Sequence, residues 1–283
     1  MTPDSPDLPE PSRLTRLGYS GPLLEVAARQ WQGDQVASRT ERVIEEIPVV
    51  LVYNQVPHVV MMATPADLDD FALGFSVTEE LVRSPADVLG VEIVAYSRGI
   101  ELQIRVPAEC QAVIETRTRR LTGRTGCGIC GSDSIDAVLK SARRVEPSEP
   151  VAPEAIRRAV RSIGAGQRLN EASGAVHAAA WVGLDGSIGL VREDVGRHNA
   201  LDKLVGACLA AAVDPRGGFV VVTSRASFEM VQKATVLGAS LLVAMSGPPA
   251  LAVRLADEAG VCLIGFAREG RFTAYTHPER IVS

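Results

Sequence analysis

Between residues 176 and 266 short apolar runs alternate with segments of helix length, and this pattern limits the fold more than any other feature of the chain. Residues 176–183 and 187–192 read as strands flanking Asp185-Gly186, a two-residue hairpin signal. A helix over 198–212 follows, then a strand over 219–223, a helix over 226–237, a strand over 241–245, a helix over 248–258 and a strand over 261–266. Strands this short and this apolar, separated by helices, predict a sheet covered on both faces. Aromatics supply only 4% of the chain against 46% apolar residues in all, so Ala, Val, Leu and Ile must build the core.

The first half reads differently. Residues 47–53 and 58–62 predict two strands around a turn at 54–57. Thr64-Pro65-Ala66-Asp67 predicts a helix start, with Thr64 as cap, Pro65 in the first turn and Asp67 at the positive end. Ile100, Leu102, Ile104 and Val106 alternate with polar residues, which predicts a half-buried strand paired with 91–96 through Arg98-Gly99. A second helix is expected from Ala108 to about Thr118, and a third after Gly131 to about Arg144. Three divisions result: an irregular tail over 1–41, rich in Pro near its start; a strand-rich α+β part over 42–146; and an α/β part over 147–283, entered through the Pro-rich linker 145–153.

A formal net charge of −5 gives no support for nucleic-acid binding. No apolar run approaches the roughly 20 residues of a membrane span, and the start lacks the basic-then-apolar order of a secretory signal. Five cysteines, an odd number, do not suit a secreted disulfide framework. A cytoplasmic chain is expected, in which a close cysteine pair signals chemistry or metal.

That pair is Cys127 and Cys130 in Gly126-Cys127-Gly128-Ile129-Cys130-Gly131. It can hold half of a zinc site, shuttle a disulfide, or carry sulfur on one thiolate. Structural zinc needs four ligands, and Cys110, Cys208 and Cys262 sit in expected helix or strand interiors, which suits packing. A catalytic zinc could still take His177 or His198 as a third ligand. The glycines leave the sulfurs uncovered, the expected helix start favours an anion, and Arg117, Arg119, Arg120 and Arg124 add positive charge. Each feature raises the thiolate fraction. The bland alternative is an ordinary glycine turn with two incidental cysteines.

Two further regions carry chemistry. The run Glu193-Asp194-Val195-Gly196-Arg197-His198-Asn199-Ala200-Leu201-Asp202-Lys203 spans a strand end and a helix start. Its bland reading makes Asp194 a cap and leaves Arg197 and Lys203 solvated. Three predicted strands also end in polar groups: Ser224-Arg225, Ser246-Gly247, and Phe266-Ala267-Arg268-Glu269-Gly270-Arg271. Ligands of open α/β sheets bind at such ends, where helix amides and arginines meet phosphate. A phosphate-bearing, nucleotide-like ligand fits the set, while Ser224 and Ser246 taken singly read better as helix caps. Neither GxGxxG nor GxxxxGK[ST] occurs.

Over residues 42–282 the chain resembles the FdhD family of formate dehydrogenase accessory sulfurtransferases. The cysteine loop, the small-residue run around His177, the Glu193-to-Lys203 run, residues 224–233 and 251–256, and the 266–271 hexapeptide with Tyr275-Thr276 carry the likeness. The resemblance implies a cytidine-deaminase-like fold and a homodimer. It implies sulfur taken from a cysteine desulfurase as a persulfide on Cys127, with Cys130 as second cysteine. That sulfur is passed to bis-molybdopterin guanine dinucleotide before the cofactor enters formate dehydrogenase. The expected cofactor contacts are Phe266 through Arg271, Ser224, Arg225, His177, Asp194 and His198, with no resident metal. Departures are Ser173-Gly174-Ala175 before the histidine and Gly247-Pro248-Pro249, which lacks a hydroxyl. A zinc hydrolase would want Glu two residues beyond its His and Pro before the cysteine pair; His177 is followed by Ala178-Ala179 and Cys127 is preceded by Gly126. The same cysteine pair would also suit a thiol–disulfide oxidoreductase, and the same strand ends a non-enzymatic cofactor chaperone.

Overall fold

A computed structural model describes residues 21–121 and 142–282. The first element corrects an expectation. Where an irregular tail was placed through residue 41, β1 (Leu23–Gln32) and β2 (Gln35–Ile44) pair antiparallel along their whole length. Gly33, at φ 61°, makes the turn. Both faces of this ribbon are largely exposed, so no single-sided apolar alternation marks it in the sequence.

β3 (Ile47–Tyr53) and β4 (Val56–Ala63) form the expected hairpin, turned by Asn54 and Gln55 at φ 45° and 72°. α1 (Leu68–Thr78) follows, then β5 (Gly90–Tyr96), β6 (Gly99–Arg105) and α2 (Ala108–Leu121). The four strands lie in the order β4-β3-β6-β5, with only β3 and β6 parallel. Phe71, Ala72 and Phe75 of α1 and Ile114 of α2 pack against Val49, Leu51, Ile100, Leu102 and Ile104. Thr64 does not cap α1. Asp67 precedes that helix in the left-handed region at φ 51°, and Thr64 turns inward, toward Asp194 and Lys203.

The cysteine loop and nearly all of the helix expected after it lie outside the described residues. Ala142, Arg143 and Arg144, at its expected end, are not helical. α3 (Pro153–Ser162) and α4 (Arg168–Ser173) then appear where no element was expected. Ile156, Ala159 and Val160 of α3 are buried while Arg158 and Arg161 stay outside, but a Pro-rich lead-in and a charged composition mask this short amphipathic helix.

The remaining elements fall close to expectation: β7 (His177–Gly183), β8 (Ile188–Asp194), α5 (Arg197–Ala210), β9 (Gly218–Val222), α6 (Phe228–Leu237), β10 (Leu241–Ala244), α7 (Ala250–Ala259) and β11 (Cys262–Arg268). β12 (Arg271–Ala274) adds a short edge strand. The six-stranded order is β12-β11-β10-β9-β7-β8; β9, β10 and β11 are parallel and the outer pairings antiparallel. α5, α6 and α7 cover one face and α3 the other, giving the three layers anticipated for this half.

The halves meet where α1 crosses α5. A Cβ on Gly74 would stand 1.7 Å from the Asp202 carbonyl oxygen, and one on Gly206 would stand 1.9 Å from that of Asp70. Only glycine allows the two backbones this close. α1 therefore serves both cores, with Phe71 and Phe75 toward the four-stranded sheet and Gly74 and Thr78 toward α5.

Candidate functional site

Because β9, β10 and β11 are parallel, their C-terminal ends share one edge. β7 runs against β9, so its first residue, His177, lies at that edge too, directly opposite Asp194 at the end of β8. Thr223 closes the corner: its amide donates to the Ala178 carbonyl at 3.0 Å and its hydroxyl accepts from the Ala178 amide at 2.9 Å. The Phe266 amide reaches the Ser246 carbonyl at 3.3 Å, tying the ends of β10 and β11 together. α5 and α6 both begin here and direct their first-turn amides outward.

Polar groups with unused capacity gather at these helix starts. Arg197 Nε and Ser227 Oγ are buried and have no hydrogen-bond partner among the described residues. His198 Nε2 lies 3.0 Å from Glu229 Oε2 but off the hydrogen-bonding direction, so the contact is an ion pair when the ring is protonated. Burial pulls the Glu229 carboxyl up, yet the His198 ring, with Lys233 and Arg197 behind it, more than reverses this and holds it below its ordinary value. His177 is held below the usual histidine value by partial burial and then by the Arg197 charge, against the pull of Asp194. At neutral pH the edge therefore combines a neutral imidazole, a fixed guanidinium and free donors, which suits an anionic ligand.

Farther along the edge the backbone is strained. Phe266 adopts φ 50° at a register break between Gly265 and Arg268, and its ring, 49% exposed, lies over Gly247. A bulky residue in this region is rare, and such strain concentrates at working sites. Arg268 donates to the Met245 and Ala267 carbonyls and still borders solvent. Glu269 and Gly270 form the exposed turn into Arg271, while Ala267 is wholly buried and offers a ligand only backbone. Arg225 is exposed; the buried Ser224 hydroxyl donates to the Arg225 carbonyl at 3.0 Å.

The Glu193-to-Lys203 run divides by direction. His198 and Arg197 face the edge. Asp194, expected among the ligand contacts, instead faces inward: it has no exposed surface and accepts from Thr64 N (3.0 Å), Gly196 N (2.8 Å), Asn199 Nδ2 (3.0 Å) and Lys203 Nζ (2.6 Å). Lys203, read in the bland case as solvated, is fully buried and donates also to the Thr64 carbonyl at 2.9 Å. Glu193 caps α4, accepting from the Leu169 and Asn170 amides at 2.8 Å each. Asp202 pairs with Lys233 at 2.9 Å and accepts from Thr78 at 2.6 Å, while Lys233 also reaches Glu79 at 2.8 Å. Lys233 is held above the ordinary lysine value because Asp202 and Glu79 outweigh the cost of burial. These buried charges join the two halves behind the edge. Residue type alone could not reveal which way each one points. Ser227 and Glu229 lie in the 224–233 run, but nothing local marks them as edge residues.

Cys127 and Cys130 are outside the described residues, but the chain on either side is placed. Arg117 of α2 lies 3.6 Å from Glu80 and donates to the Glu79 carbonyl; Arg143, just beyond the segment, lies 3.2 Å from Glu80. Both flanks are therefore anchored at the end of α1. Asp202 and Lys233, which clamp that end, stand five and six residues beyond Arg197 and Ser227, about 7–9 Å along their helices. Cys110, Cys208 and Cys262 are buried, and burial pushes the thiols of Cys208 and Cys262 up to about 12, which suits packing. Among the described residues no three His, Cys, Asp or Glu side chains gather at metal-binding range, and no helix is long and apolar enough to cross a membrane.

Residues 44–282 match the FdhD/NarQ family model. A protein of Bordetella petrii named sulfur carrier protein FdhD is 50% identical over 87% of this chain and 88% of its own length. Proteins of the same name from Cupriavidus necator and Xanthomonas campestris are 46% and 48% identical, covering 90% and 89% of this chain and 88% and 90% of their own. The crystal structure of a candidate formate dehydrogenase accessory protein from Desulfotalea psychrophila superimposes with a TM-score of 0.71 at 21% identity, over 92% of this chain and 99% of that one, so the fold is shared. With a match running from the end of the first ribbon to the last β-bridge, the chain belongs to the FdhD/NarQ family.

Proposed function

We propose that this chain is a cytoplasmic sulfur carrier in formate dehydrogenase maturation, acting as a sulfurtransferase through a persulfide on Cys127. The observation that carries the reading is the convergence of free anion donors at the strand-end edge with the flanks of the cysteine segment, anchored about one and a half helical turns away. In the first step the Cys127 thiolate attacks the sulfane sulfur of a cysteine desulfurase persulfide. The new S–S bond forms as the bond to the desulfurase sulfur breaks, and that enzyme leaves as its thiolate. Cys130 either relays the sulfur or releases it by closing a disulfide with Cys127.

The acceptor is the bound substrate bis-molybdopterin guanine dinucleotide, loaded before insertion into formate dehydrogenase. The edge fits its chemistry. Arg197 Nε and Ser227 Oγ are spare donors for pyrophosphate, Arg225, Arg268 and Arg271 supply charge, and the exposed Phe266 ring suits a planar base. A homodimer is part of the same reading. Labelled sulfur supplied as cysteine with a desulfurase tests it: the label reaches the cofactor through wild type, and Cys127→Ala stops transfer. Cys127→Ala and Cys130→Ala variants that still support active formate dehydrogenase would instead favour a chaperone that only binds and delivers cofactor.

A further inference from the structure

We infer that the outer edge of β1 is a dimerisation surface, pairing antiparallel with β1 of a second copy about Ala27 to give a continuous β2-β1-β1-β2 sheet. The inference rests on the homodimer reading above, though not on the sulfur chemistry, and assigns a surface to the second copy.

An isolated two-stranded ribbon is marginal in water, and this one has little support. The two strands form a sheet of their own, so among the described residues each keeps one unpaired edge; β2 also meets α4, whereas β1 packs chiefly on β2. Ten residues of unpaired strand edge normally carry a guard such as Pro, a bulge or lysines. β1, Leu-Leu-Glu-Val-Ala-Ala-Arg-Gln-Trp-Gln, has none, and its register with β2 is unbroken. Trp31 is 64% exposed, and Val26, Val36 and Val43 are exposed on the same ribbon.

The pattern of β1 indicates what covers it. On one face stand Leu23, Glu25, Ala27, Arg29 and Trp31: apolar, negative, small, positive, apolar. Read in the opposite direction about Ala27, the series complements itself. A second copy paired there sets Glu25 opposite Arg29 and Leu23 opposite Trp31, each twice by symmetry. A two-fold interface needs this self-complementarity. Glu25 and Arg29 are the strand's only charged residues, and neither forms an ion pair among the described residues.

Sedimentation of the full chain over a concentration series tests the surface with Glu25→Arg and Arg29→Glu. Wild type sediments as a dimer. Each variant alone places like charges opposite each other at both pairs and raises the dissociation constant roughly tenfold or more. An equimolar mixture of the two variants restores both opposite-charge pairs and recovers dimer. The mixture also controls for disturbance inside the ribbon, where residue 25 faces Arg42. A monomeric wild type overturns the inference. So does a dimer that survives each variant, which would put the interface elsewhere, or a mixture that stays monomeric.

Discussion

Lys203→Met tests how the two halves are held. The Lys203 ammonium and the Asp194 carboxylate lie 2.6 Å apart with no solvent exposure, and Thr64 from the first half bonds to both. Met keeps the length of the side chain and removes the charge, leaving the Asp194 carboxylate buried against neutral donors only. Breaking one side of a buried pair costs about 3–5 kcal/mol, because the surviving charge loses compensation. Against a total stability of about 5–15 kcal/mol this is a large fraction. Asp194→Asn has a cost of similar size, since the ammonium loses its charged partner and meets only neutral acceptors, the Thr64 carbonyl at 2.9 Å and the Glu193 carbonyl at 3.5 Å among them. The double variant removes both charges, so its loss falls short of the sum by about 2 kcal/mol or more. Urea unfolding followed by circular dichroism and by the fluorescence of the buried Trp181 measures each corner of the cycle. Losses that add to within about 0.5 kcal/mol would refute the coupling drawn here.

Gly74→Ala forces α1 from α5 and is expected to lose at least about 2 kcal/mol in the same assay, whereas Gly164→Ala, with open space around it, changes little; equal effects would contradict the crossing. His58, held at about 4 chiefly by burial, resists protonation in the folded chain. Stability is therefore full above the unfolded value of roughly 6.5 and falls as pH drops toward the folded value, by up to about 3 kcal/mol; His58→Leu flattens this profile, and an unchanged slope would remove His58 as its source. Arg197→Met weakens guanosine diphosphate binding roughly tenfold or more, the worth of a charge-assisted contact; calorimetry giving the wild-type affinity would take Arg197 out of the edge.

The second half was the more legible because its strands are apolar on both faces and bounded by strong punctuation. Asp185-Gly186 marked the β7–β8 turn, and the ends of β9, β10 and β11 pointed to the edge before any geometry was known. In the first half, 47–53 read correctly as β3 because its buried residues are closely spaced. The β1–β2 ribbon and α3 did not read. A ribbon exposed on both faces has no alternation to detect, and a short charged helix after a Pro-rich stretch looks like loop. At the candidate site, residue type singled out the Glu193-to-Lys203 run but not which way each side chain turned. Asp194 and Lys203 face Thr64, a residue 130 and 139 positions away, and only the packing of α1 against α5 brings them together.

Mass spectrometry of the protein and its proteolytic peptides, after incubation with a desulfurase and cysteine, addresses the central claim most directly. The account predicts a gain of about 32 Da on the peptide containing Cys127, reversed by a thiol reductant and lost in Cys127→Ala. A wild-type peptide that gains nothing, with the same mass appearing at full yield in Cys127→Ala, would contradict it.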